Sequence, residues 1–168
     1  MTGIPTDDDQ AEVATALHAV LEQRGLTVAC AESLTGGELA GALSAAPGAS
    51  GMFRGGVVAY ASDVKVSLLG VAQETVDTDG VISDACAAEM ARGVRRLLGA
   101  DLGLATTGVA GPVEQEGKPV GRVHVAVATA DGVHARELSF AGTRAEIRAS
   151  TVDAVVAWAL RLVVGEAG

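Results

Sequence analysis

Two residues whose types can do covalent chemistry stand out in this 168-residue chain, Ser33 and Lys65. Ser33 lies in VACAESLTGGELAGALS, Val28 to Ser44, where an apolar run gives way to two glycines and then to a helical pattern. Thr35 and Glu38 have capping-box spacing, which predicts a helix from Gly36 to about Ala45 with Ser33 two residues before its cap. Helix starts carry free N–H donors that can hold a phosphate or a developing oxyanion. Gly36 and Gly37 lack a Cβ and would let a ligand reach that backbone. A serine turn with two glycines for tight packing has the same sequence.

Only two of the twelve basic residues are lysines, Lys65 and Lys118; the rest are arginine. Lys65 falls in the first turn of a short helix capped by Ser62 or Asp63 and ending at Gly70, where the helix dipole disfavours a cation. Leu68 and Leu69 follow at helical spacing, so the amine could lean over apolar surface. Both effects favour the neutral amine, which can act as a general base, whereas a guanidinium cannot. A surface lysine laying its stem along leucines fits the same pattern. Serine with a lysine base is one way to hydrolyse an amide without a metal.

A third element is TTGVAGPVEQEGKPVG, Thr106 to Gly121, which follows a buried strand and has glycines at 108, 111, 117 and 121. Such a loop can bring backbone amides to a ligand, although it is neither GxGxxG nor a P-loop. Arg144 and Arg148, four apart at a helix start, share a face and could grip a phosphate or simply face water.

The elements that must position these groups are legible from periodicity. Helices are expected from a cap at Thr6 with Asp9 to Gly25, from Ser83 to Gly99 with a core stripe of Ala87, Met90, Val94, Leu97 and Leu98, and from Thr143 with Glu146 onward. Strands are expected at 27–31, 56–60 and 102–106, with a hairpin of 121–130 and 133–140 around Asp131-Gly132. Residues 47–51 read as loop. Val123, Val125 and Val127 alternate, which turns His124 to the opposite face. Alternating strands and helices with one hairpin give an α/β (α+β) three-layer sandwich around a mixed sheet, one domain over 1–168 with its core at about 10–164.

Composition excludes several function classes. The formal charge is −9 and aromatics are 2% of the chain, so neither phosphate neutralisation nor base stacking suits a broad nucleic-acid surface. No run approaches the roughly 18 apolar residues of a membrane span, and MTGIPTDDDQ has no secretory pattern, so a cytoplasmic location is expected. Cys30, Cys86, His18, His124 and His134 are scattered, which predicts reduced, buried cysteines and no metal site.

AESLTGG, PGASGMFRGGVVAYASDVKVSLLGV, GVIS, ATTGVAGP, KPVG and FAGTRAEIR occur in the order seen in the CinA C-terminal domain family, and the chain resembles that family over roughly residues 10–164. Members include nicotinamide-nucleotide amidases. The resemblance implies hydrolysis of the carboxamide of nicotinamide mononucleotide to nicotinate mononucleotide and ammonia, in pyridine-nucleotide salvage, with no cofactor. It implies Ser33 as nucleophile, Lys65 as base and Tyr60 as an orienting or proton-relaying group. Thr107, Gly108 and Gly111 resemble substrate-pocket residues, and Arg144 a phosphate contact. Glu32, next to Ser33, is expected against the cationic pyridinium ring, and amides near Gly36 and Gly37 around the oxyanion. The resemblance also implies self-association as a homo-oligomer. The chain departs from the family at Val113-Glu114-Gln115-Glu116-Gly117, where members often carry a run of glycines. The resemblance does not extend to the nucleotide-binding N-terminal domain that many members carry. The alternative function is a catalytically idle nucleotide-binding or regulatory module of the same fold; a DNA-associated competence factor fits the charge least.

Overall fold

A computed structural model describes residues 7–165, with side chains described from residue 11. The elements are α1 (Asp7–Arg24), β1 (Val28–Glu32), α2 (Glu38–Ala45), α3 (Ala49–Met52), β2 (Phe53–Val58), α4 (Ser62–Leu69), α5 (Gln73–Thr78), α6 (Asp84–Leu98), β3 (Leu102–Gly108), β4 (Arg122–Ala128), β5 (Val133–Ser139) and α7 (Arg144–Val164). The five strands form one sheet in the order β2-β1-β3-β4-β5. β1 runs parallel to both β2 and β3, while β3, β4 and β5 pair antiparallel.

Helices cover both faces, so the expected three-layer sandwich with a mixed sheet is what forms. On one face Leu17 and Leu21 of α1, Leu39 and Leu43 of α2, and Val155 and Ala159 of α7 pack on Cys30, Leu104, Val125 and Val127. On the other, Cys86, Met90 and Val94 of α6 lie on Ala29, Ala31, Ala105 and Ala126. This second face is made of small side chains, and its spacing is tight. A Cβ added at Gly103 would lie 2.1 Å from the Ala91 carbonyl, and one at Gly93 1.9 Å from that of Leu69. Glycine at 93 thus lets α6 touch the end of α4, the helix that carries Lys65.

From β1 the chain passes to β2 on one side, and it reaches β3 on the other side of β1. The carboxyl ends of β1 and β3 therefore flank the point where strand order reverses, the place where open α/β sheets form a ligand crevice. Ser33 follows β1, and the 108–121 loop follows β3.

Several local expectations need correction. The short helix α3 overlaps the expected 47–51 loop, and α5 forms where no helix is expected; at four and six residues, neither has enough turns to show a period. β2 begins at Phe53, three residues earlier than expected, because parallel pairing with β1 carries Arg54 and Gly55 into the sheet. Leu97 is 46% exposed instead of in the α6 core stripe. The expected cap at Thr6 lies outside the described residues. Both cysteines are free and buried, and Ser83 caps α6 by accepting from the Cys86 amide.

Candidate active site

β1 ends at Glu32, and the turn to α2 that follows carries Ser33. The Ser33 amide donates to the Thr106 carbonyl of β3 at 3.0 Å, and its carbonyl accepts from the Gly36 amide at 3.1 Å. Leu34 beside it is buried with Ala110, Val123 and Ile147, so one apolar cluster anchors both the Ser33 turn and the loop after β3. Thr35 does not cap α2. Its hydroxyl shares a 2.8 Å hydrogen bond with that of Thr106. The residue at the cap is Gly37, with φ of 108°.

Glu32 does the capping from the strand. Its carboxylate is fully buried and accepts from the amides of Gly37 (3.1 Å), Leu39 (2.9 Å) and Ala40 (2.9 Å). An anion at a helix N-terminus is favoured by the free donors and by the dipole. Two expectations fall with this geometry. Glu32 does not line the cavity and has no face for a ring, and the amides of Gly36 and Gly37 are spent on Ser33 and Glu32. The paired glycines serve a different purpose: both hold positive φ, and a Cβ on Gly36 would come within 3.1 Å of the Arg148 guanidinium. Arg148 itself donates to the Thr35 carbonyl at 2.8 Å and pairs with Glu38 at 2.9 Å, so it is not a second phosphate grip.

Lys65 is only 1% exposed. Its Nζ lies 3.0 Å from Ser33 Oγ, 2.8 Å from the Ala59 carbonyl and 3.4 Å from the Tyr60 carbonyl. No side chain caps α4, which begins after Ala61, so the expected Ser62 or Asp63 cap does not form. Of the two leucines expected beside the lysine, Leu69 is buried and Leu68 is 47% exposed. Burial lowers the Lys65 pKa, partly offset by Cys86 and Glu116. The same burial raises the Cys86 thiol to about 11, against the pull of Lys65. A neutral amine has two N–H donors and one lone pair. The amine meets two carbonyls and the Ser33 hydroxyl; once neutral, it keeps two N–H donors for the carbonyls and has a lone pair free for the Ser33 proton.

A cavity of about 240 Å³ opens over this pair, lined among others by Tyr60, Thr107, Gly108, Gly111, Glu114 and Arg144. Thr107 presents a buried side chain whose hydroxyl is held by the Val81 carbonyl at 2.7 Å. Arg144, the first residue of α7, is set by a full capping box of Thr143 and Glu146. Its guanidinium donates to the Gly111 carbonyl (2.6 Å) and to the Tyr60 hydroxyl (2.7 Å), spanning the cavity mouth. Tyr60 is 59% exposed. It reaches Lys65 through its carbonyl, and its ring stands at the rim.

Sequence reasoning missed the cavity wall formed by Val81 and Ile82, although GVIS was among the marked motifs. Glu116 accepts from both of their amides at 3.2 Å. Lys118 donates to the carbonyls of Asp79 and Ile82, so a charged pair clasps the loop to the start of α6. His124 faces that helix as expected, with Nδ1 at 2.6 Å from Asp84. No group of three or more His, Cys, Asp or Glu that could hold a metal ion occurs among the described residues.

The profile of the CinA C-terminal domain matches residues 10–163. The chain belongs to the CinA family. It is 49% identical over 146 residues to the CinA-like protein of Frankia casuarinae, which covers 87% of this chain and 34% of that protein. The CinA superfamily protein from Klebsiella pneumoniae superposes with a TM-score of 0.90 at 32% identity, covering 92% of this chain and 98% of that one. The competence/damage-inducible protein of Agrobacterium tumefaciens gives 0.85 at 38% identity, covering 93% and 95%. The chain thus spans about a third of the length of the curated CinA relatives it matches. Its mixed five-stranded sandwich is the CinA fold. No helix among the described residues is long and apolar enough to cross a membrane.

Proposed function

We propose that this domain hydrolyses the carboxamide of nicotinamide mononucleotide, yielding nicotinate mononucleotide and ammonia by a serine–lysine mechanism. The observation that carries the reading is the 3.0 Å contact between Ser33 Oγ and the buried Lys65 amine. Neutral Lys65 takes the Ser33 proton as Oγ bonds to the amide carbon. The carbonyl oxygen becomes an oxyanion, for which the Leu34 and Thr35 amides, which have no acceptor among the described residues, are the unspent backbone donors in the Ser33 turn. The Lys65 ammonium then protonates the amide nitrogen, the C–N bond breaks, and ammonia departs, leaving a serine ester. Water adds to that ester while giving a proton to Lys65, the proton returns to Ser33 as the acid leaves, and the acid ionises, its proton balancing the released ammonia as ammonium.

The base comes from the chain itself, so the proposed chemistry runs without a metal or cofactor. A cavity of about 240 Å³ is smaller than the roughly 300–1,000 Å³ of clefts that enclose drug-sized ligands. It suits the ring and sugar, with the phosphate at the mouth by Arg144. The partner in this reading is a small nucleotide, not nucleic acid or membrane, and a homo-oligomer in the cytoplasm is proposed on the family resemblance. Tyr60 acts by holding Arg144 at the rim and by fixing Lys65 through its carbonyl.

Interception by hydroxylamine tests the covalent step. Ammonia release should continue while part of the product becomes a hydroxamate; release with no hydroxamate at any hydroxylamine concentration contradicts the serine ester. A second reading, a catalytically idle nucleotide-binding or regulatory module, draws on Glu114, an acid in the wall of a cavity proposed to take an anionic nucleotide. Binding of the nucleotide with no ammonia released supports it.

A further inference from the structure

The acid expected against the substrate ring, Glu32, is consumed in capping α2, which leaves Glu114 as the acidic side chain lining the cavity. Glu114 makes no hydrogen bond or ion pair with another described residue. Nor is it on a slack loop. Two residues on, Glu116 is bound to the Val81 and Ile82 amides, and the Gln115–Lys118 bridge closes the turn between them with amide–carbonyl bonds of 3.2 and 2.9 Å. The other cationic side chain in the lining besides Lys65 is Arg144, whose guanidinium is held at Gly111 and Tyr60. The cavity therefore offers a held cation at its mouth and an unpaired anion whose loop backbone is anchored close by, on the segment that follows β3, the strand beside Ser33.

We infer that Glu114 is a specificity-determining residue that selects carboxamides borne on a cationic ring over the same carboxamide on a neutral ring. The inference rests on the reading of the site as one for pyridine nucleotides. A carboxamide at Ser33 brings its ring into the same enclosure as the Glu114 carboxylate, where an opposite charge lowers the energy of the complex. Because Glu114 is exposed to solvent at the rim, the discrimination is modest and screened by salt.

The test compares nicotinamide mononucleotide with its reduced form, which keeps the carboxamide, ribose and phosphate but has an uncharged ring. Calorimetric Kd values are measured on Ser33→Ala, with and without Glu114→Gln, at low and high salt. Kinetic KM values are measured on Glu114→Gln alone. Glu114→Gln should weaken binding of the cationic form about two- to fivefold and leave the reduced form unchanged, with kcat for the cationic form preserved. Equal loss for both forms, or tighter binding of the cationic form by the glutamine variant, overturns the role of Glu114. Discrimination in binding without ammonia release by the unmodified protein keeps Glu114 and removes the hydrolytic reading. Turnover without discrimination does the reverse, and binding of neither form removes both.

Discussion

Replacing Glu32 by glutamine changes one atom in a side chain that is fully buried and accepts three backbone amides. The oxygen that serves Gly37 and Leu39 can be kept as the glutamine carbonyl. The other position becomes an NH2 facing the Ala40 amide, donor against donor. Leaving buried groups unsatisfied costs about 1–3 kcal/mol, and removing an anion from a helix N-terminus costs about 0.3–1 kcal/mol more. The sum is about 1–4 kcal/mol. At about 2–4 °C per kcal/mol for a chain of this size, Tm should fall by about 3–16 °C in a calorimetric scan. The same variant should show a lower kcat, since the Ser33 turn is continuous with the capped helix, and an unchanged KM. A Tm within 1 °C of the parent would refute the capping argument. A raised KM at unchanged Tm would return Glu32 to the substrate.

Three further outcomes follow from the same geometry. Because burial lowers the Lys65 pKa and the base must be neutral, kcat/KM should rise with pH through that depressed value and level off above it; a profile falling over the same range contradicts Lys65 as base. The stability effect has the matching sign: the cost of burying a charged Lys65 is fully present below its folded pKa. It fades as pH rises toward the unfolded value of about 10.4, so Lys65→Met should stabilise the fold most at low pH, read by chemical denaturation at several pH values. Gly93→Ala, whose Cβ would meet the Leu69 carbonyl at 1.9 Å, should cost about 1–3 kcal/mol and reduce turnover by moving α4 and its lysine, checked by denaturation and ammonia release together.

Much of the frame was legible because its signals are local. The Ser83 and Thr143–Glu146 caps, the Gly99 stop and the Asp131-Gly132 turn each lie within four residues of what they control. Ser33 and Lys65 were identifiable by residue type and by their place at element starts, although only the fold brings them together across 32 residues. What the sequence hid are side chains acting at a distance or against a local pattern. Thr35 and Glu38 have capping-box spacing, yet Thr106 takes the Thr35 hydroxyl, Arg148 takes Glu38, and Glu32 supplies the cap from the preceding strand. The Arg144–Tyr60 bridge spans 84 residues, and the Glu116 clasp 35. No periodicity encodes either. The departure at 113–117 could be seen, but not that its two acids diverge, Glu116 into a structural clasp and Glu114 into the cavity wall.

Side-by-side ammonia release from nicotinamide mononucleotide, with excess chelator present, bears most directly on the serine–lysine pair. The unmodified protein should turn over, and Ser33→Ala and Lys65→Ala should each lose at least about two orders of magnitude in kcat, the range expected when a nucleophile or its general base is removed. Undiminished release by either variant, or release that stops on chelation in all three, would contradict the account.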